Sequence, residues 1–262
     1  MQRHVRLAVV WAALLLAGCA AIEDPTKDWT PEQFYKAGEE KIAGGDYDTA
    51  VKHFEALQAR YPYGRYAEQA QLEIAYAYYK ADEPAPAIAA ADRFIRLHPT
   101  HPNVDYAYYL KGLTNFRGER SFAASLFGQG DDLVDRDPKG TRDAYNDFRE
   151  LVDRFPRSRY VEDARKRMAY LFDAQARYEI AVARFYFDRG AYVAAVNRSK
   201  YALENFARTP ATEDALGLQA LSYKAMGLNE LMEDTLRVLK QNFPNSRYLN
   251  EVRDTRAEIR EK

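Results

Sequence analysis

The side chains best suited to chemistry fall into four small groups. His98 and His101 suggest a metal pair, Asp131, Asp132, Asp135 and Asp137 suggest an oxygen-ligand loop, and Gly128-Gln129-Gly130 suggests a phosphate cradle. The fourth is Cys19, the single thiol among 262 residues. The histidines flank Pro99 and precede Pro102, which excludes a helical metal face, and no cysteine or third histidine is near. A calcium loop needs oxygen ligands at positions one, three and five and glycine at six, yet counting from Asp131 puts Leu133 at three and Arg136 at six. The Gly128 segment lacks the third glycine of a dinucleotide fingerprint and follows no strand, and there is no G-x-S-x-G element. The residues therefore point to a protein with no catalytic constellation, no metal and no cofactor. One cysteine can make neither an internal disulfide nor a Cys-rich metal site, so its use must come from its place.

That place is the end of a signal peptide. Arg3 and Arg6 precede an apolar run from Leu7 to Ala17, too short to span a bilayer, which takes roughly 20 apolar residues. Leu16-Ala17-Gly18-Cys19 resembles the lipobox of bacterial lipoproteins, where cleavage before the cysteine leaves an acylated first residue. Residues 1–18 are read as signal peptide and 19–29 as a lipidated tether. Ala20, in place of Asp, implies by similarity with enterobacterial lipoproteins export to the outer membrane, with the chain facing the periplasm. Acyl chains at about 0.8 kcal/mol per buried CH₂ would hold the protein on the membrane without spanning it. Loss of Arg3 and Arg6 from 38 basic residues, against 39 acidic, leaves a slight acidic excess and argues against nucleic-acid binding.

The elements that carry the rest are repeats. Tyr61-Pro62-Tyr63-Gly64-Arg65-Tyr66, Phe155-Pro156-Arg157-Ser158-Arg159-Tyr160 and Phe243-Pro244-Asn245-Ser246-Arg247-Tyr248 share the order aromatic, Pro, any, small, Arg, Tyr. Weaker copies occur at His98-Pro99 and Phe206-Ala207, and a step of 37 positions separates Pro62 from Pro99 and Ala207 from Pro244. Gly38, Tyr47, Ala50, Phe54 and Pro62 resemble a tetratricopeptide (TPR) unit, whose usual period is about 34 residues. The small residues let paired helices approach, and the proline ends the second helix. Thr30-Pro31-Glu32-Gln33 supplies the first start signal, with Thr as N-cap and Gln at the capping-box position.

The expected fold is all-α, a TPR-like α-solenoid of five helix-turn-helix units. Units 1–3 occupy residues 30–156, with an insertion at about 117–138 that is read as a long loop with a short helix at Phe122 to Phe127. Units 4–5 occupy 157–262, and no Gly or Pro interrupts Arg157 to Arg189, which predicts one long helix from about Ser158 to Arg189 joining units 3 and 4. The charged stretch from Ser246 to Lys262 reads as a solvating end cap. First helices line the concave face of such arrays, which places Tyr35, Leu72, Tyr76, Tyr79, Tyr109 and Phe116 along a groove with Lys80 and Arg93 nearby. An aromatic groove with cations suits an extended client carrying aromatic residues and a terminal carboxylate. In unit four, Arg198 has no acid at position 194 or 202, so it reads as a cationic interface anchor or a solvated side chain.

YAYYKADEPAPAIAAADRFIRLHPTHPNVDYAYYLKGLTNF (76–116), DRDPKGTRDAYNDFRELVDRFPRSRY (135–160) and YEIAVARFYFDRGAYVAAVNRSKYALENF (178–206) resemble the BamD family, lipoproteins of the bacterial outer-membrane β-barrel assembly machinery. The resemblance covers essentially the whole mature chain. It implies a non-catalytic scaffold whose N-terminal units receive unfolded outer-membrane proteins and whose C-terminal units dock the POTRA region of BamA. It also implies that Arg198, with Asn197 beside it in the segment VNR, is tied to BamA, and that the other Bam lipoproteins are partners. The alternatives are another TPR lipoprotein scaffold, such as a pilus-secretin pilotin or cell-wall scaffold, and a glycan-cleaving enzyme with two carboxylates in a cleft.

Overall fold

Residues 25–116 and 138–253 are described by the computed structural model, and each regular element among them is an α-helix. In chain order these are α1 (Pro31–Ala43), α2 (Tyr47–Arg60), α3 (Arg65–Lys80), α4 (Pro84–Leu97), α5 (Val104–Asn115), α6 (Pro138–Arg154), α7 (Val161–Asp188), α8 (Tyr192–Asn205), α9 (Ala211–Ala225) and α10 (Asn229–Asn242). They alternate as five helix-turn-helix pairs, the TPR-like arrangement expected. The expected signal peptide, Cys19 and the 117–137 stretch, with its expected short helix, lie outside the described residues.

Two compact units form, Met1–Glu73 and Ile74–Lys262. The division falls within α3, away from the expected boundary at 156. The reason is α7, which packs on α6, α8 and α9 together and so binds hairpin three to hairpins four and five.

In the first unit the capping box forms: the Gln33 amide donates to Thr30 Oγ1 at 3.3 Å and the Thr30 amide to Gln33 Oε1 at 2.8 Å. The residues before it are not a free tether. The Arg60 guanidinium donates to the carbonyls of Thr26 and Lys27, and the Tyr61 hydroxyl donates to the Trp29 carbonyl at 2.9 Å. The Trp29 ring meets Phe34 edge-on and stacks on His53. Residues 26–29 are thus held on the first hairpin, which shortens any free lead to the residues before them. Gly38 lies under the Phe54 ring, where a Cβ would come within 2.4 Å of ring carbon, so only glycine permits this helix approach.

The second unit repeats the device at Gly112, where a Cβ would lie 2.5 Å from Phe148. Lys111 bridges Asp92 on α4 at 2.8 Å and Asp147 on α6 at 3.3 Å, and Asn115 donates to Asp147 at 2.7 Å. Burial pushes the Asp147 carboxyl up, against the lowering contributions of Asn115 and Lys111, while the Asp92 and Asp147 carboxylates hold the lysine above its ordinary value despite its own burial. Lys111→Met is expected to destabilise the chain by roughly 1.5–3 kcal/mol, because two carboxylates lose one charged donor. Chemical denaturation would measure it, and a change within error would mean that water replaces the ammonium at no cost.

Helix α7 has 28 residues, about 42 Å at 1.5 Å per residue, and starts three residues later than expected because Pro156 to Tyr160 form the turn. Its Ala176, Ile180 and Ala183 are buried against Ala202, Phe206 and Ala215 of the following hairpins. The turns into α8 and α10 carry Gly190 and Gly227 at φ 74° and 73°, a left-handed conformation that costs little only for glycine. The end cap departs from expectation. Tyr248 and Val252 are buried with Leu216, Leu221, Met232 and Leu239, so this segment closes the last core and does not merely solvate it.

The shared turn motif has a physical basis. Arg65, Arg159 and Arg247 lie over the rings of Tyr66, Tyr160 and Tyr248 at 4.7, 4.9 and 4.9 Å, and each donates to that tyrosine's hydroxyl. Cation–π attraction and a hydrogen bond thus fix each turn tyrosine, of which only Tyr248 is wholly buried.

Candidate partner-binding surfaces

Tyr35 and Tyr109 each precede the close-packing glycine of their hairpin, Gly38 and Gly112, by three residues. Both rings meet a turn tyrosine: Tyr35 meets Tyr66 with centroids 5.6 Å apart, and Tyr109 stacks on Tyr160 at 4.6 Å. The Tyr109 hydroxyl donates to Asp163 at 2.6 Å, and Arg167 holds that carboxylate at 2.6 Å. Burial first, and the Asp163 carboxylate second, push the Tyr109 hydroxyl well above the usual tyrosine range. Leu72 and Phe116 are 6% and 3% exposed, so they are core and offer no groove surface, which corrects both assignments. Tyr109 is corrected in part, since its hydroxyl and one face are already occupied. The reason is common to all three: first-helix apolar positions lie where neighbouring elements cover them.

Tyr76 and Tyr79 remain half-exposed, with centroids 6.4 Å apart over the buried Ala75, Ala91 and Leu110. Arg93 is exposed on α4, the second helix of its hairpin. Tyr35 is half-exposed but acidic in its surroundings: burial first, then Glu73 and Glu39, push its hydroxyl up. The surroundings of Tyr35 therefore repel a carboxylate and suit aromatic or cationic groups.

Glu73 provides a pH test. Burial pushes its carboxyl above the ordinary 4.5, Glu39 adds to the rise, and the Tyr35 hydrogen bond opposes it. With the folded-state value raised, the stability linked to this group is complete below the ordinary glutamate range and is lost as pH rises through the folded-state value. Glu73→Gln, whose amide oxygen can still accept from Tyr35, is expected to raise the melting temperature at neutral pH by a few degrees, on the order of 1 kcal/mol or less, and to add nothing below about pH 4. Equal gains at both pH values would show that the charge is not the cause.

In the second unit Arg198 is not unpaired. Its guanidinium meets Glu179 of α7 at 3.0 Å, the arginine side chain being 45% exposed and the glutamate 13%. Acids at positions 194 and 202 were the wrong place to look, because the pair crosses between helices. The pairing fixes one edge of the guanidinium and leaves the rest toward solvent. Along α8, Val193, Asn197 and Tyr201 follow at four-residue steps, one exposed stripe, with Val193 at 64% exposure. A shallow hollow beside it is lined by Gly190, Ala191, Val193, Ala194, Asn197 and Met226. Leu231 and Val238 on α10 are exposed in the same way. These residues were missed in the sequence, although apolar residues on the polar side of a helical wheel were the available signal.

His98 and His101 pack on the buried Phe94 ring at 5.2 and 5.1 Å, and the Asn103 amide donates to His101 Nδ1 at 3.0 Å. They build a turn. Among the described residues no cluster of three metal-ligating side chains occurs, and no helix is long and apolar enough to cross a membrane.

The chain is 46% identical over 249 residues to the outer membrane protein assembly factor BamD of Neisseria gonorrhoeae, covering 93% of this chain and 92% of the relative. It is 38% identical over 241 residues to the protein of that name from Vibrio cholerae, covering 92% and 99%. A solved TPR protein of Thermus thermophilus aligns over 87% of this chain and 98% of its own, at 17% identity and a TM-score of 0.35, too low to add to the fold seen directly. The YfiO family, described as outer membrane lipoprotein, matches residues 27–239, and with that span and these relatives the chain belongs to it.

Proposed function

We propose that this chain is a non-catalytic scaffold in the assembly of outer-membrane β-barrel proteins, acylated at Cys19 and facing the periplasm. It docks the POTRA region of BamA through the surface around Asn197 and Arg198. The observation that carries this reading is the α8 stripe, apolar residues held out to solvent beside an arginine whose geometry is already set by Glu179. Apolar area flanked by a pre-oriented guanidinium is the composition of a protein interface core and its anchor. Unfolded clients meet half-exposed aromatics, Tyr35 on the first unit and, separately, Tyr76 and Tyr79 on the second; the acidic surroundings of Tyr35 disfavour a client's terminal carboxylate there, and Arg93 on the second unit is an exposed cation. The other lipoproteins of the same machine are further partners.

The experiment is affinity capture of the tagged, membrane-extracted chain with mass spectrometry of what accompanies it. BamA is the expected companion. Its absence, with recovery instead of secretin subunits or cell-wall enzymes, would favour a pilotin or cell-wall scaffold.

A further inference from the structure

The turn motif occurs three times, and only the middle copy is strongly basic. Arg157 follows the proline there, where the other copies have Tyr63 and Asn245, and Arg165 stands where the first copy has Gln71 and the third has Arg253. The Arg and Tyr that fix each turn, Arg159 and Tyr160 in this copy, are already accounted for by the ring contact and the hydroxyl bond. Arg157 and Arg165 therefore have no part in building the turn, and neither has a hydrogen bond or ion pair among the described residues.

Together with Arg159 and Lys166 they line one hollow at the start of α7, whose single acid is Glu162. Glu162 is answered by Lys166 at 2.9 Å and Asp105 faces Arg159, which leaves Arg157 and Arg165 as net positive charge. The N-terminus of a 28-residue helix adds to the positive potential. Pro156 and Ala169, both exposed, give the hollow an apolar component. Planar guanidinium forks suit carboxylates, so the charge of this shallow, open hollow complements an extended acidic chain.

We propose that this hollow binds an extended acidic segment of a partner polypeptide, its carboxylates on Arg157 and Arg165 and an apolar residue over Pro156. The site lies apart from the α8 stripe in sequence and residues, and its test does not depend on BamA.

The test is fluorescence anisotropy of the mature chain with a labelled peptide of alternating Glu and Val, a Lys and Val counterpart, and phosphatidylglycerol vesicles in parallel. The acidic peptide is expected to bind, to weaken as salt rises from about 0.05 to 0.5 M, and to lose roughly tenfold or more in affinity with Arg157→Glu plus Arg165→Glu. Arg157→Gln plus Arg165→Gln, which adds no repulsion, serves if the reversal disturbs folding and should also weaken binding. Equal affinity of wild type and variants, equal binding of the basic peptide, or binding of vesicles alone would overturn the proposal, the last by assigning the patch to the membrane.

Discussion

Tyr248→Ala is expected to lower the unfolding free energy by roughly 3–5 kcal/mol, the range for removing a wholly buried aromatic ring. The ring sits in the last core, and its hydroxyl donates to Asp214 at 2.6 Å while accepting from Arg184 at 2.8 Å and Arg247 at 3.0 Å. Tyr248→Phe keeps the ring and removes those bonds, so it should lose only about 1.5–3 kcal/mol, the scale of bonds to charged groups. Gly217 explains how the ring fits. A Cβ there would lie 2.2 Å from Tyr248, and Gly217 stands three residues before Ala220, the small position that matches Gly38 and Gly112. Where hairpins one and three place Tyr35 and Tyr109 against a turn tyrosine, hairpin five has glycine, and its turn tyrosine goes deeper. Gly217→Ala should therefore cost about 1–3 kcal/mol by overpacking. In the Tyr248→Ala background most of that cost should vanish, since the obstacle has gone, giving a coupling of the order of 1–3 kcal/mol in a double-mutant cycle by denaturation. Additive costs would show that Gly217 is needed for another reason.

Arg198→Glu should weaken the proposed docking of the BamA POTRA region by at least roughly tenfold while leaving the fold nearly intact. The two effects separate because the Arg198–Glu179 pair is partly exposed and adds only about 0–1 kcal/mol to folding. The interface loses more, since a carboxylate beside Glu179 would repel the acids that the arginine would attract. Arg198→Lys, with charge but no fork, should fall between. Glu179→Gln should leave docking largely in place, because the guanidinium keeps its charge and an accepting oxygen remains. Surface plasmon resonance with the isolated POTRA region, with circular dichroism as the folding control, reads all three. Unchanged affinity for Arg198→Glu would remove Arg198 from the interface.

What the sequence by itself determined is local. Thr30 and Gln33 cap α1 because both partners lie within one turn, and the Arg-Tyr pairs fix their turns because the two side chains are adjacent in sequence. The uninterrupted run to Asp188 becomes one helix because nothing in it breaks the backbone ladder. The tertiary structure decided which apolar side chains are covered. Helical spacing marks a face but not what lies over it, so Leu72 and Phe116 became core, Tyr109 joined Asp163 and Tyr160, and Val193 stayed in solvent. It also decided charge pairing, since Arg198 finds Glu179 and Lys111 finds Asp92 and Asp147 across helices whose approach no local pattern encodes. Backbone hydrogen bonds and caps depend on near neighbours, whereas burial and ion pairing depend on elements that meet only once the hairpins have packed.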